Sequence, residues 1–324
     1  MRVLVTGGAG LIGSHIVEEL LSRGHEPFVL DNLESGSREN LPAGVKLFEV
    51  DICDRERLTE VFDEVRPQAV SHQAAQMSVS RSVREPVYDA EVNVLGLLNV
   101  FDQAARVGAE RIVFASSGGV LYGDVFEPAD EQHPSAPISP YGISKWVGEH
   151  YLRFYTRQHP LSGVALRYSN VYGPRQNPHG EAGVVAIFSE RMLVGLETSI
   201  FGDGTAVRDY VFVEDVARAN VDAIETSLDD GFAALNIGTG RGTDVNQLAG
   251  LIRDLCQTRW ESVGRSGDVP AAQHVDPRPG ELQSSLVDAA KAHSVLGWTP
   301  QIDVADGLRR AVDWFAAKVD VQPD

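Results

Sequence analysis

The chain has 324 residues, of which 43% are hydrophobic and 23% charged, as is typical of a globular protein of one or two domains. It carries 28 Lys and Arg against 46 Asp and Glu, a formal net charge of −18. This acidic balance excludes non-specific binding to nucleic acid or to an anionic membrane, because both require a basic surface. No apolar run can span a bilayer and no secretory pattern is apparent, so we expect a cytoplasmic protein. Cys53 and Cys256 predict neither a disulfide framework nor a metal site.

Short apolar strands alternate with amphipathic helices along the first half of the chain. The predicted elements are, in order, strand 3–5, helix 14–23, strands 28–30 and 46–50, helix 58–64, strand 69–71, helix 88–106, strand 111–115, helix 141–159 and strand 164–166. Strict alternation indicates βαβ units with right-handed crossovers. The sequence therefore predicts an α/β fold, a Rossmann-type doubly wound parallel sheet with helices on both faces.

A glycine-rich turn, Thr-Gly-Gly-Ala-Gly-Leu-Ile-Gly, joins the first strand to the first helix at residues 6–13. Glycines there allow a tight turn, close approach of the backbone to a pyrophosphate, and close packing of the helix on the sheet. The start of the helix offers free N–H groups and a partial positive charge to the phosphates. We assign cofactor binding to Gly7, Gly10, Leu11, Ile12 and Gly13.

Carboxylates end the second and third strands. Asp31 can bind both ribose hydroxyls of an adenosine and would repel a 2′-phosphate, which favours NAD over NADP. Its neighbour Asn32 belongs to the same predicted site, and Asp51 and Ile52 are assigned to the adenine edge.

The second half of the chain has more glycine and proline and longer loops. We interpret it as a smaller C-terminal substrate-binding α/β region. No repeat or flexible linker separates the halves, so we expect an NAD-binding domain over residues 1–169 and a mainly substrate-binding domain over 170–324, with interleaved boundaries.

Tyr141 and Lys145 lie four residues apart on a predicted helix, so both side chains reach one site. A free tyrosine, with a pKa of about 10, is a poor base at neutral pH. The lysine cation and the positive nicotinamide ring would lower that pKa. Ser117 follows the fifth predicted strand, at the edge of the sheet where ligands bind. These three residues predict hydride transfer at an alcohol carbon.

With these residues in place, the chain resembles the extended short-chain dehydrogenase/reductase family, the NAD-dependent epimerases and dehydratases, and within it the UDP-glucose (UDP-galactose) 4-epimerases. The resemblance covers nearly the whole chain and is carried by residues 5–15, 72–76, 114–123, 139–145, 167–176, 201–213, 236–240 and 278–281.

The resemblance implies further site residues and a partner. For the cofactor it implies Ala74, Ala75, Gln76, Asn93, and Tyr168 near the nicotinamide. For the substrate it implies Asn170 at the pyrophosphate, Arg208 and Arg278 as a cationic clamp, and Glu281 at the uridine ribose. It also implies a homodimer built from the helices near 88–106 and 141–159.

Two departures from the family pattern affect the substrate site. The segment Ser-Ser-Gly-Gly-Val-Leu-Tyr at 116–122 is one residue longer than in some members. Counting from Phe114 selects Ser117 as the catalytic hydroxyl, with its neighbours as alternatives. Ser285 stands where some epimerases carry a tyrosine beside the sugar, which predicts room for an N-acetyl group.

The expected reaction is epimerisation at C4 of UDP-glucose and UDP-galactose, by transient oxidation with retained NAD. The rivals are a nucleotide-sugar dehydratase, disfavoured by Gly118 and Gly119 in place of an Asp-Glu pair, and a UDP-glucuronic acid 4-epimerase using Arg191. A non-enzymatic NAD-sensing regulator is disfavoured by the presence of Ser117, Tyr141 and Lys145.

Overall fold

The computed structural model describes residues 1–178, 183–277, 282–319 and 321. Its strands are β1 Arg2–Thr6, β2 Glu26–Asp31, β3 Lys46–Glu49, β4 Ala69–His72, β5 Arg111–Ser117, β6 Ser162–Tyr168, β7 Asn170–Tyr172, β8 Ser199–Phe201, β9 Val207–Phe212, β10 Phe232–Ile237, β11 Gly242–Asp244, β12 Gln273–Val275 and β13 Ser284–Ser285.

Helices follow most of these strands. They are α1 Leu11–Ser22, α2 Arg55–Val65, α3 Val79–Arg84, α4 Pro86–Ala90, α5 Leu97–Val107, α6 Gly118–Leu121, α7 Pro140–Gln158, α8 Val184–Leu193, α9 Val213–Glu225, α10 Val245–Ser262, α11 Ala290–Leu296 and α12 Val304–Lys318, with a 3₁₀ turn at Arg38–Asn40 and a π-helical stretch at Glu91–Gly96. No helix among the described residues is long and apolar enough to cross a membrane.

A seven-stranded parallel sheet forms the centre of the protein, in the order β3-β2-β1-β4-β5-β6-β10. The strand order reverses between β1 and β4, so the carboxyl ends of these strands open a crevice for a ligand. This arrangement confirms the doubly wound α/β fold that the sequence predicts.

The central strands are buried on both faces. In β1, Val3 and Val5 join one core, which includes Ile16 of α1 and Val216 of α9. The intervening Leu4 joins the opposite core with residues of α2, α5 and α7. The continuous apolar runs of these strands follow from this double burial.

The last strand of the large sheet comes from the second half of the chain. β10 pairs in parallel with β6, and the helix before it, α9, packs against α1. Between β6 and α9 the chain forms β7 and β9, which pair with each other in a smaller sheet, and β11 and β13 join β9 later in the chain, after β10. The substrate region predicted after residue 169 thus begins as an excursion from the large sheet.

The helix predicted over 88–106 is interrupted in the structure. Its first part is α4, its last part is α5, and the π-helical stretch lies between them. A π-helical turn inserts an extra residue and is often found at functional sites. Here it carries Asn93, whose side chain is buried and turned toward residue 76.

Candidate active site

The glycine-rich turn follows β1 and leads directly into α1. A Cβ on Gly7, which has φ +65°, would lie 2.6 Å from the backbone nitrogen of Ala74. A Cβ on Gly13 would lie 2.2 Å from the carbonyl oxygen of Gly7. Both positions therefore require glycine, because the turn packs against α1 and against the segment after β4.

The start of α1 is built to receive an anion. Gly10 precedes the helix without a side-chain cap, and the backbone N–H groups of Leu11, Ile12 and Gly13 form no backbone hydrogen bond within the described residues. Free N–H groups together with the helix dipole suit a pyrophosphate. This end of α1 fits the dinucleotide that the sequence predicts.

Asp31 lies at the end of β2 beside this turn and is almost completely buried. Its Oδ2 accepts the backbone N–H of Ala9 at 2.9 Å, and its Oδ1 accepts that of Leu33 at 2.8 Å. Burial raises the pKa of Asp31, and these two hydrogen bonds act in the opposite direction. Each carboxylate oxygen can accept a further hydrogen bond, so the site remains suited to ribose hydroxyls.

The predicted adenine residues lie next to Asp31. Asn32 donates from Nδ2 to Oδ2 of Asp51 at 2.9 Å, and the other oxygen of Asp51 accepts the N–H of Cys53. Ile52 is buried and packs against Gly96. The ends of β2 and β3 are therefore held together at the same edge of the sheet.

The residues implied at 74–76 and 93 also meet. The N–H of Gln76 donates to Oδ1 of Asn93, and Nδ2 of Asn93 returns a hydrogen bond to the carbonyl of Gln76, each at 2.9 Å. The N–H of Ala74 donates to Oγ1 of Thr6. Ala75, which lies between Ala74 and Gln76 in the sequence, is half-buried. The π-helical stretch thus fixes the position of the segment that follows β4.

Tyr141 and Lys145 occupy the first turns of α7, whose N-terminus is capped by the hydroxyl of Ser139. The ammonium of Lys145 lies 5.6 Å from the ring centre of Tyr141 and 5.1 Å from that of Phe114. Lys145 is only 4% exposed, and among the described residues its ammonium has no hydrogen-bond acceptor or ion pair. A buried ammonium without a protein acceptor fits the ribose hydroxyls of a bound nucleotide.

In the protein without NAD⁺ the pKa of Tyr141 is raised, whereas the sequence predicts that Lys145 and the nicotinamide ring together lower it. Burial raises the pKa of Tyr141, the charge of Asp89 raises it further, and a hydrogen bond with Ser117 lowers it. Burial also lowers the pKa of Lys145 to about 8, against the opposing effect of Asp89. Desolvation by burial is the largest cause of the raised pKa of Tyr141.

Ser117 ends β5 next to a glycine pair that leaves room around its hydroxyl. A Cβ on Gly119 would lie 3.9 Å from Oγ of Ser117 and 3.6 Å from Oδ1 of Asn170. Ser285 donates from Oγ to the carbonyl of Gly119 at 3.3 Å. Three residues predicted from distant parts of the sequence therefore surround one glycine.

Arg208 is on β9, where it is paired in register with Ser285 of β13. Its guanidinium donates to the carbonyl oxygens of Val207 and Leu282. Tyr168, at the end of β6, is buried, and its hydroxyl donates to Oε1 of Gln73 and accepts from Nδ2 of Asn220. The predicted clamp residue Arg278 and the predicted ribose ligand Glu281 lie outside the described residues.

A buried ion pair that was not predicted from the sequence lies behind the predicted catalytic residues. Arg167 of β6 binds Glu149 of α7 through two hydrogen bonds of 2.9 and 2.7 Å. The same carboxylate accepts a hydrogen bond of 2.5 Å from Ser116, the neighbour of Ser117. Glu149 is one helical turn beyond Lys145, so its i+4 spacing from Lys145 is the sequence pattern that could have identified it.

Tyr122 extends this network to the last strand of the sheet. Its hydroxyl accepts from Arg167 and donates to Oδ1 of Asn236, each at 2.7 Å. The ends of β5, β6 and β10 are thereby fixed relative to α7, which carries Tyr141 and Lys145.

Comparisons with known proteins agree with this geometry. Residues 3–238 match the NAD dependent epimerase/dehydratase family. The UDP-glucose 4-epimerase of Mycolicibacterium smegmatis is 42% identical over 98% of this chain and 99% of its own. The crystal structure of Thermus thermophilus UDP-glucose 4-epimerase with NAD has a TM-score of 0.91 and 48% identity, over 98% of this chain and 100% of its own. The crystal structure of Thermotoga maritima UDP-glucose 4-epimerase with UDP-glucose has a TM-score of 0.91 and 45% identity, over 98% of this chain and 99% of its own. The chain therefore belongs to the NAD-dependent epimerase/dehydratase family.

Proposed function

We propose that the protein is a UDP-sugar 4-epimerase that interconverts UDP-glucose and UDP-galactose. The observation that carries this proposal is the meeting of Ser117, Asn170 and Ser285 around Gly119, with Tyr141 near enough to Ser117 for that hydroxyl to lower its pKa. This arrangement supports the proposal, because side chains suited to proton transfer and to substrate binding lie at the same edge of the sheet as the glycine-rich turn.

In the proposed reaction Tyr141, as the phenolate, takes the proton from O4 of the sugar, and Ser117 hydrogen-bonds the same oxygen. Bound NAD⁺ supplies the hydride chemistry at C4, and the reaction is redox-neutral over a full cycle. Lys145 orients the nucleotide ribose, since its ammonium is buried without a protein acceptor. Asn170 and Arg208 hold the nucleotide end of the substrate, which leaves the sugar free to turn between oxidation and reduction.

The lack of space beside Gly118 argues against the alternative function, a nucleotide-sugar dehydratase. A Cβ on Gly118 would lie 2.8 Å from Cγ1 of Val287 and 3.1 Å from the carbonyl of Arg167. There is therefore no room for a carboxylate side chain at position 118. A dehydratase needs both an acid and a base here, and position 119 alone could hold only one of them. A dTDP-glucose 4,6-dehydratase of Neisseria gonorrhoeae is nevertheless 32% identical over 97% of this chain.

The glucuronic acid alternative requires a cation beside the sugar carboxylate. Arg191 is exposed on α8 and donates to the carbonyl of Glu197 at 2.7 Å. It is thus engaged on the helix surface, which favours a neutral hexose as substrate.

The direct test is to incubate the purified protein with UDP-glucose, UDP-N-acetylglucosamine or UDP-glucuronate without added NAD and to identify the products by NMR. We expect UDP-galactose from UDP-glucose with no net NADH. An accumulating 4-keto-6-deoxy sugar would instead establish a dehydratase, and no turnover of any sugar would favour an NAD-sensing regulator.

Ser285 provides a prediction about substrate range. It is buried and contacts Gly119 through a side chain smaller than the tyrosine of some relatives, so we infer that the N-acetylhexosamine pair is also accepted. Ser285→Tyr is expected to lower kcat/KM for UDP-N-acetylglucosamine about 100-fold, more than for UDP-glucose, because the ring fills the acetyl space. Equal losses on both substrates would contradict this role, and Ser285→Thr serves as the small-residue control.

We further propose a homodimer through the helices at 86–107 and 140–158. Their outer faces expose large apolar side chains: Val87, Leu95, Ile143, Trp146, Tyr151 and Phe154. Large exposed apolar side chains concentrated on two neighbouring helical segments are typical of a protein interface. We expect sedimentation equilibrium to give twice the chain mass of 35.1 kDa, and Phe154→Glu to shift the protein toward monomer.

A further inference from the structure

A carboxylate outside the predicted site is completely buried between α4 and the start of α7. Asp89 has no exposed surface and accepts three hydrogen bonds. Gln76 and Asn93 each donate a side-chain amide to its Oδ1 at 2.9 Å, and Ser144 donates its hydroxyl to Oδ2 at 2.6 Å. All three donors are neutral, so they satisfy the carboxylate without cancelling its charge.

This charge lies beside the catalytic pair. Ser144, its partner on α7, is three residues after Tyr141 and directly before Lys145. Within the described ranges Asp89 forms no ion pair, and the cation whose pKa it affects is Lys145. A buried carboxylate that is hydrogen-bonded but has no cation in contact exerts its field on nearby ionisable groups.

We propose that Asp89 is a positioning residue, whose buried negative charge holds Lys145 as an ammonium and Tyr141 as a phenol in the resting enzyme, and whose bond to Ser144 fixes the first turn of α7. This inference rests on the proposed catalytic roles of Tyr141 and Lys145. In the proposed 4-epimerase the negative charge of Asp89 prevents premature formation of the Tyr141 phenolate.

The electrostatic effects agree with this geometry. Asp89 raises the pKa of Lys145 against the lowering caused by burial, and it raises the pKa of Tyr141 in the same direction as burial. Both effects follow from one negative charge, which favours protonation of any neighbour. The hydrogen bond from Ser117 is the described contact that opposes this effect at Tyr141.

The other ionisable groups around the pair do not provide a comparable charge. His72 of β4 is buried with a pKa lowered to about 3, first by burial and then by Lys145, so it is neutral near pH 7. Glu149, one turn beyond Lys145, is paired with Arg167 of β6. Asp89 is therefore the uncompensated charge next to the pair in the part of the chain that the structure describes.

Asp89→Asn removes the charge and preserves the contacts. The amide oxygen of the new side chain can still accept from Gln76 and Asn93, and its nitrogen can donate to Ser144, whose hydroxyl is both donor and acceptor. Ser144→Ala is the matched variant that removes one hydrogen bond and keeps the charge. Asp203→Asn, at an exposed loop carboxylate, controls for the change in net charge.

The primary measurement is the titration of Lys145 in the NAD-loaded protein by NMR of ¹³Cε-labelled lysine. The chain has four lysines, and Lys145→Arg identifies the signal of this one. We expect Asp89→Asn to lower the pKa of Lys145 by about one unit, as expected for a nearby buried charge. Ser144→Ala and Asp203→Asn are expected to leave that pKa within about 0.3 unit of its original value.

The second measurement is the pH profile of kcat/KM with UDP-glucose. Removal of a negative charge makes both neighbours stronger acids, so both limbs of the profile should move to lower pH in Asp89→Asn. A Lys145 titration unchanged by Asp89→Asn would overturn the proposal, as would a shifted titration with an unmoved profile. If the unaltered protein has no epimerase activity, the proposed function fails, while the lysine titration still decides whether Asp89 controls the charge of Lys145.

Discussion

Tyr141→Phe is expected to lower kcat for UDP-glucose epimerisation by about 10³-fold, the contribution of a positioned acid–base group. The phenylalanine keeps the ring beside Lys145 but removes the hydroxyl that exchanges the O4 proton in the proposed reaction. The bound NAD should be retained, because the glycine turn and Lys145 are unchanged. Stopped assays of UDP-galactose formation, with the absorbance ratio at 260 and 280 nm as a measure of NAD content, separate these two effects.

Tyr151→Phe is the control for this experiment, since Tyr151 lies on the same helix but faces outward and is 36% exposed. It should retain full activity. Full activity in Tyr141→Phe would exclude Tyr141 as the acid–base group, whereas loss of NAD from that variant would show that the hydroxyl serves the cofactor site.

Gly13→Ala is expected to destabilise the protein by about 3 kcal/mol and to release NAD, because overpacking against backbone cannot be relieved by a rotamer change. The added methyl group would lie 2.2 Å from the carbonyl oxygen of Gly7 and 2.6 Å from Cα of Gly8. Either α1 moves away from the sheet or the turn opens, and both changes displace the free N–H groups. Urea unfolding and the NAD content of the purified variant measure the two consequences.

Gly250→Ala is the matched substitution in an open position. Gly250 is exposed on α10, and a Cβ there would meet no atom within 4 Å. The higher helix propensity of alanine should then stabilise the protein by about 0.5–1 kcal/mol. A Gly13→Ala variant that behaves like Gly250→Ala would show that the turn does not pack as described.

The cofactor turn could be predicted from the sequence because its determinants are local. Gly7 and Gly13 lie within one strand–turn–helix unit, and Asp31 ends the next strand. Their contacts follow from the geometry of that unit, and the structure also brings Gly7 against the backbone of Ala74. The spacing of Tyr141 and Lys145 on one helix is local in the same sense.

Other features depend on contacts that no local pattern encodes. Asp89 lies in a segment, Tyr-Asp-Ala-Glu-Val-Asn, whose charges suggest a solvated helix face. It is buried because the π-helical stretch turns Asn93 inward and α7 covers it with Ser144. The raised pKa of Tyr141 depends on burial by the whole fold, which the local spacing of Tyr141 and Lys145 does not encode.

The contribution of the second half of the chain to the large sheet was equally hard to foresee. The sequence of β10 is that of an apolar strand in the region predicted to bind the substrate. Its neighbour in the sheet, β6, ends 64 residues before β10 begins at residue 232. Pairing over that distance is set by the edge that β6 leaves open and by the apolar surface that α9 covers.

The late arrival of β10 has a consequence for biosynthesis. At a translation rate of about 5–20 residues per second, the ribosome needs roughly 3–13 s to pass from the end of β6 to the start of β10. During that interval the nascent chain carries a cofactor site whose sheet ends in the unpaired, apolar strand β6. Such an edge is a template for pairing with another nascent chain. Slow elongation through residues 169–231 therefore lengthens the period in which this edge is open to pairing with another chain.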